Sequence, residues 1–497
     1  MWRTGALACP GQPGAAVLHS SITSQEAARV ARDYRVHHER EIVAEFIQLL
    51  SIPNVASDTP NIEKNASALL AMLARRGVDA HLLRVEGAPP LVIGWLPAPN
   101  ATSTIAFYAH YDGQPVDPAQ WATPPFQPVL QNPGGATRID PEARLVARSS
   151  SDDKAPIIAM LAALDAIREA RATPATNLKF VFEGEEEAGS PHLLQYFDRF
   201  PRDLAADVWM ICDGPVHQSG RMQLYFGARG VTDLEITVYG PARPLHSGHY
   251  GNWAPNPIVT LTHLIDSMRD TAGRILIPGF YDDVTPLTAA EHDALAALPN
   301  IDDDLRRELA LGRVEGDGKS LNELILMPAL NLRGIAAGHV GAQATNTIST
   351  EARASIDFRL VPAQTPQKVR ERVERHIAAQ GFFIVRDAPD SETLRVHPNV
   401  ARLNWDAGYP AARTGMDLPI ARSVAGVISE ATGVPPLKMP SLGGSVPMYL
   451  FQRGGTPVIG LPIVNHDNNQ HAANENLRMQ NLWGGIEIFA ALFTNLR

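Results

Sequence analysis

Five clusters of polar residues in this chain could do chemistry together: His110-Tyr111-Asp112, Asp152-Asp153-Lys154, Glu183-Gly184-Glu185-Glu186-Glu187, Asp213, and His471. Imidazole and carboxylate donors suit Zn²⁺ and similar divalent ions, and a pair of ions needs a carboxylate to bridge them. Taken singly, each cluster is weak. A His-x-Asp is common, a glutamate run is usually a solvated helix start, and an Asp after a strand is usually a turn former. Taken together, they would place several carboxylates within repulsive range, where they would take up protons unless a cation were bound.

The elements that must position them are readable. Thr104–Ala109, Leu178–Phe182 and Val208–Cys212 are short apolar runs that read as buried strands, and each runs directly into one of the clusters. A helix with Ile157, Leu161 and Leu164 on one face is predicted from about Pro156 to Ala170. Strand, helix, strand implies a parallel α/β sheet, and such sheets bind ligands beyond the carboxyl ends of their strands. Upstream, helices are predicted from Ser24 to before Pro53 and around Ala66–Arg76. Near Gly230 the pattern changes. Val231–Tyr239 and Ser355–Val361 alternate apolar and polar residues, as antiparallel strands with one wet face do. Thr365 and Pro366 cap a helix with Val369, Val373 and Ile377 as its stripe and Gly381 as its stop. A smaller α+β domain at 230–392 therefore interrupts the α/β domain, which resumes with the apolar strand Thr456–Leu461. The acidic stretch 281–320 reads as an insertion on the smaller domain.

Composition bounds the rest. The 497 residues are 45% hydrophobic and 19% charged, too apolar for a disordered chain. A formal charge of −10 argues against a nucleic-acid or anionic-membrane role. Two cysteines, Cys9 and Cys212, make no disulfide framework and suit a reducing, cytoplasmic setting. No apolar run approaches the ~18 residues of a membrane span. Residues 1–22 lack a signal-peptide core and read as a loose N-terminal extension.

The stretch from His110 to Pro118, with Trp121 and Pro124-Pro125-Phe126 beyond, resembles the dinuclear zinc metallopeptidase family of carnosinase-type dipeptidases and glutamate carboxypeptidases, with acetylornithine deacetylase and aminoacylase as more distant members. The dipeptidase branch is favoured by that stretch and by Ala329-Leu330-Asn331-Leu332 with Gly334-Ile335. The resemblance spans most of 35–497. It implies a zinc-exopeptidase-like, mostly parallel sheet flanked by helices (catalytic parts 23–229 and 393–497), with a ferredoxin-like lid and dimerisation domain inserted at 230–392. Carried over by position, His110 and Asp213 are ligands of one metal, Glu187 and His471 of the other, and Asp152 bridges them through a cis bond to Asp153. Asp112 orients His110, and Glu186 is the general base. His246 reaches a partner subunit's site as an oxyanion donor, while Arg359, Asn346 and Ser445 hold substrate, with Arg359 on its carboxylate.

The implied cofactors are two divalent ions per chain, Zn²⁺ first, with Mn²⁺ or Co²⁺ as alternatives. The implied activity is hydrolysis of a peptide bond in dipeptides or short peptides with a free C-terminus, through a metal-bridging water. The implied partner is a second copy of the chain, through the lid. An N-acyl or N-carbamoyl amino-acid amidohydrolase of the same family is the alternative. Two departures from the family stand out. Ala155 and Ala147-Arg148-Ser149 occupy positions where the family has glycines, and a third glutamate, Glu185, leaves a one-residue slip open in the base and ligand assignment.

Overall fold

The computed structural model describes residues 22–133 and 138–497. The expected N-terminal extension, Ile22 apart, lies outside them.

An eight-stranded sheet carries the larger body. Its order is Asp79–Leu83, Leu91–Leu96, Asn177–Glu183, Thr104–His110, Val208–Ile211, Val458–Gly460, Gln223–Tyr225 and Leu437–Met439. The middle four strands are parallel. They are buried on both faces, which is why they read as unbroken apolar runs rather than alternating ones. Helices Ser24–Leu50, Lys154–Glu169, Pro419–Thr432 and Met479–Asn495 pack together on one face. There Phe107 and Phe180 meet Phe493 edge-on at 5.1 and 5.8 Å. Helix Leu193–Arg199 and residues around Met448–Phe451 cover the other. The second predicted helix begins earlier than expected, at Thr59. The Asp58 carboxylate accepts the Asn61 N–H, and Pro60 fills the first turn.

The second sheet has five strands, ordered Ala329–Ala336, Glu351–Leu360, Gly230–Tyr239, Val400–Trp405 and Phe383–Val385. It is antiparallel except for its last pair. Helices Pro257–Met268 and Pro366–Ala379 bury their apolar stripes on it. Strand Val400–Trp405 corrects the expected limit at residue 392. Asp390 caps a short helix, Ser391–Val396, that crosses the expected limit, after which the chain re-enters the sheet.

The stretch 281–320 also departs from expectation. Its helix Ala289–Ala296 packs against strand Leu437–Met439 of the larger sheet, and Ala294 joins the core there. Glu291 is buried and paired with Arg413 at 2.7 Å, so an acidic residue that reads as solvated face anchors the segment to the catalytic body. Farther along, Ile325 lies where a side chain on Gly443, two residues before Ser445, would meet it at 3.2 Å.

Candidate metal centre

Parallel pairing sets Thr104–His110, Asn177–Glu183 and Val208–Ile211 in register, so their carboxyl ends open on one rim. His110 closes the first strand, the glutamate run follows the second, and Asp213 lies two residues past the third. The helix Lys154–Glu169 starts beneath them and presents Asp152 and Asp153 just before its first turn, joined by a cis peptide bond.

Two groups of possible ligand atoms result, His110 with Asp152 and Asp213, and Asp152 with Glu187 and His471. Within each group the atoms lie within 4.8 Å of one another. Asp152 belongs to both. Its Oδ1 is 3.0 Å from His110 Nε2 and its Oδ2 is 3.0 Å from His471 Nε2. His471 Nε2 is 3.3 Å from Glu187, and Glu186 Oε2 is 3.9 Å from His110 Nε2. Glu185 stands apart, accepting the His192 N–H at 3.0 Å and pairing with its ring at 2.9 Å.

The electrostatics ask for a counter-charge. Burial, reinforced by Asp152, pushes Glu187 up to about 7 and Asp213 up to about 6. Burial also raises Glu186 well above the usual carboxylate range, with Asp213 and Asp152 adding to the effect. Burial alone would lower the His110 imidazole, but its bonds to Asp112 and Asp152 raise it well above normal. Asp213 Oδ1 is buried with no hydrogen-bond partner. Clustered acids, two imidazoles and an orphaned carboxylate oxygen fit a pair of divalent cations.

The supporting shell is extensive. Asp112 is fully buried; its Oδ1 lies 3.4 Å from His110 Nδ1 and accepts the Glu186 N–H at 3.1 Å, while Oδ2 accepts the Glu187 N–H at 3.0 Å. One carboxylate thus orients a candidate ligand and the turn that carries Glu186 and Glu187. Glu475, which sequence reasoning did not single out, accepts the backbone N–H groups of Ser149, Ser151 and Asp152, each at 2.9 Å, and the Arg148 guanidinium at 2.7 Å. Its one sequence signal is position, four residues after His471. The substituted glycine loop is built with Ser149 itself at a φ of 62°, and its hydroxyl accepts the Asn54 side-chain amide at 2.8 Å. Ala155 lies inside the helix and needs no such angle.

A cavity of about 550 Å³ opens over the cluster, and its lining includes Asp152, Glu186, Glu187, Asp213 and His471 together with Ser445 and its neighbours. Arg359 donates from Nη1 to Ser445 Oγ at 2.9 Å and from Nε to Asp357 at 2.8 Å, which sets its guanidinium against a residue of the cavity lining. His246 and Asn346 are not brought to the cavity. They are exposed at a two-stranded antiparallel ladder of Leu245–His246 with Thr347–Ile348, where the Asn346 carbonyl accepts the Ser247 N–H at 2.9 Å.

Residues 106–495 match Peptidase family M20/M25/M40. The chain belongs to this family. Among its relatives in the M20 group, the human Beta-Ala-His dipeptidase is 30% identical over 427 residues, covering 82% of this chain and 78% of that one. A Cys-Gly metallodipeptidase of Schizosaccharomyces pombe is 26% identical, covering 90% of this chain and 94% of its own. An M20 family metallo-carboxypeptidase from Sulfolobus solfataricus superposes with a TM-score of 0.76 at 26% identity, over 92% of this chain and 99% of that one. Human carnosine dipeptidase 1 does so with a TM-score of 0.74 at 23% identity, over 94% and 98%. No helix among the described residues is long and apolar enough to cross a membrane.

Proposed function

We propose that this protein is a metal-dependent dipeptidase that hydrolyses the peptide bond of dipeptides or short peptides with a free C-terminus. The observation that carries the reading is the sharing of Asp152 between two ligand groups, with Glu186 beside them on the same cavity floor. His110, Asp152 and Asp213 would hold one divalent ion, and Asp152, Glu187 and His471 the other. Such ions, Zn²⁺ or alternatively Mn²⁺ or Co²⁺, polarise a carbonyl and lower the pKa of water. Glu186 takes the proton from the attacking water and passes it to the leaving amine. Asp112 keeps Glu186 and His110 aimed at one point through the bonds described above. Arg359, steadied by Asp357 and Ser445, receives the substrate's terminal carboxylate through its remaining donors. This is the carboxypeptidase character of the reading.

A homodimer through the smaller unit is part of the proposal. Asn346 and His246 are exposed and remote from their own cavity, as groups that serve a partner's site would be. Strand Ala329–Ala336 is a sheet edge on which Leu332 and Ile335 are exposed, and Val340, four residues past its end, is 88% exposed. A cytoplasmic setting is consistent with Cys212, a buried free thiol.

The test is a substrate panel run on the metal-loaded protein, with dipeptides beside N-acetyl and N-carbamoyl amino acids. Dipeptides are expected to be turned over fastest. Preference for the acylated or carbamoylated amino acids would overturn the dipeptidase reading in favour of the amidohydrolase one.

A further inference from the structure

The cavity has two kinds of lining. Besides the carboxylates and His471, its wall includes Tyr409, Leu442, Val446 and Pro447 with Ser445. This wall is rigid, because Leu442, Val446 and Tyr449 pack on the core cluster that includes Met448, Leu450 and Phe451. Tyr409 stacks on Tyr449 with ring centroids 5.6 Å apart. Its backbone is clamped at the junction of the two sheets, donating to the Val231 carbonyl at 2.9 Å and accepting from the Val231 N–H at 3.0 Å. That approach requires a glycine at Gly230, where a Cβ would lie 2.5 Å from the Tyr409 carbonyl oxygen. The Tyr409 hydroxyl interacts with Ser445 and feels the charge of Glu186, and both of those residues also line the cavity.

We propose that Tyr409, with Leu442, Val446 and Pro447, forms the pocket for the side chain of the substrate's C-terminal residue, and that this pocket selects apolar side chains. The inference rests on the Arg359–Ser445 end receiving the terminal carboxylate. A residue anchored there has its Cα beside Ser445, and the wall its side chain meets is this apolar one. A charged side chain would be desolvated against that wall without a partner. A glycine would leave it unfilled.

The test compares kcat/KM for Ala-Leu, Ala-Gly and Ala-Asp on the metal-loaded wild type and on Tyr409→Ala and Tyr409→Phe, with melting temperature and metal content as controls. Ala-Leu is expected to exceed Ala-Gly by about tenfold or more, and Ala-Asp to be poorest. Tyr409→Ala lowers the Leu-to-Gly ratio by about fivefold or more, and Tyr409→Phe retains it. Equal or better turnover of Ala-Gly or Ala-Asp by the wild type overturns the inference, as does an unchanged ratio in a folded, metal-replete Tyr409→Ala. The same comparison with N-acetyl-Leu, N-acetyl-Gly and N-acetyl-Asp separates the two readings. Failure of all dipeptides with a preserved Leu preference there removes the dipeptidase proposal and leaves the pocket standing.

Discussion

The carboxylate of Glu475 accepts the backbone N–H of Asp152 at 2.9 Å, joining the loop that offers the shared ligand to the segment that offers His471. Four further donors from Arg148, Ser149 and Ser151 meet the same two oxygens, and the side chain is fully buried. A carboxylate is needed there, because every facing group donates.

Glu475→Gln turns one acceptor into a donor pointed at donors and leaves Arg148 buried without its partner. Metal affinity is expected to fall about 10- to 100-fold. Stability is expected to fall by about 3–5 kcal/mol, as for other broken buried pairs. Metal content after dialysis against a buffered ion, together with chemical denaturation, reads both. Unchanged metal content would remove Glu475 from the supporting shell.

Glu186→Gln keeps the shape of the cavity floor and removes the proton acceptor. Turnover should drop about 10²- to 10⁴-fold with KM and metal content little altered. A variant that holds near-normal turnover with its metals bound would disprove the base assignment.

Chelation should abolish activity, and added Zn²⁺, Mn²⁺ or Co²⁺ should restore it at about two ions per chain. Elemental analysis of active protein checks the stoichiometry, and a fully active metal-free preparation would contradict the proposed mechanism.

The metal-free protein should lose stability as pH rises. Burial holds Glu183 up to about 8, Glu187 up to about 7 and Asp213 up to about 6, all above the ordinary carboxylate range near 4. Between pH 4 and 8 the folded chain therefore keeps protons that the unfolded chain has released. Its stability is fully present at the acid end of that window and declines through it. Ligand deprotonation favours metal, so the gain in melting temperature on adding metal should grow over the same range. Melting curves of metal-free and metal-loaded protein at pH 5 and pH 8 test the sign of both effects.

Ile335→Lys places a charge on the exposed sheet edge. If the edge joins two copies, sedimentation should show a dimer for the wild type and monomer for the variant, with activity falling because His246 no longer reaches a second site. A wild type that sediments as a monomer with full activity would refute the shared-site proposal.

The strand ends that carry His110, the glutamate run and Asp213 were legible from local rules, whereas the roles given to Asp112, Asp152, Glu186, Glu187 and His471 rested on the resemblance to the family. A strand buried on both faces shows itself as an apolar run, and whatever follows it must sit on the rim. The helix at Pro366–Ala379 was legible for a similar reason, since Thr365, Pro366 and Gly381 act on their own neighbours.

The limits of the smaller unit were not legible, because Val400–Trp405 joins its sheet only through long-range pairing with Leu234–Val238. Glu291 reads as surface charge until Arg413 lies beside it. The roles of Glu475 and Tyr409 depend on partners that are distant in sequence, and nothing in their own neighbourhoods announces those partners. The sequence alone determined which residue types could bind metal and in what order they occur. The tertiary structure decided which of them share an ion pair's worth of space, and which apolar wall faces them, because both depend on how separate segments close around one cavity.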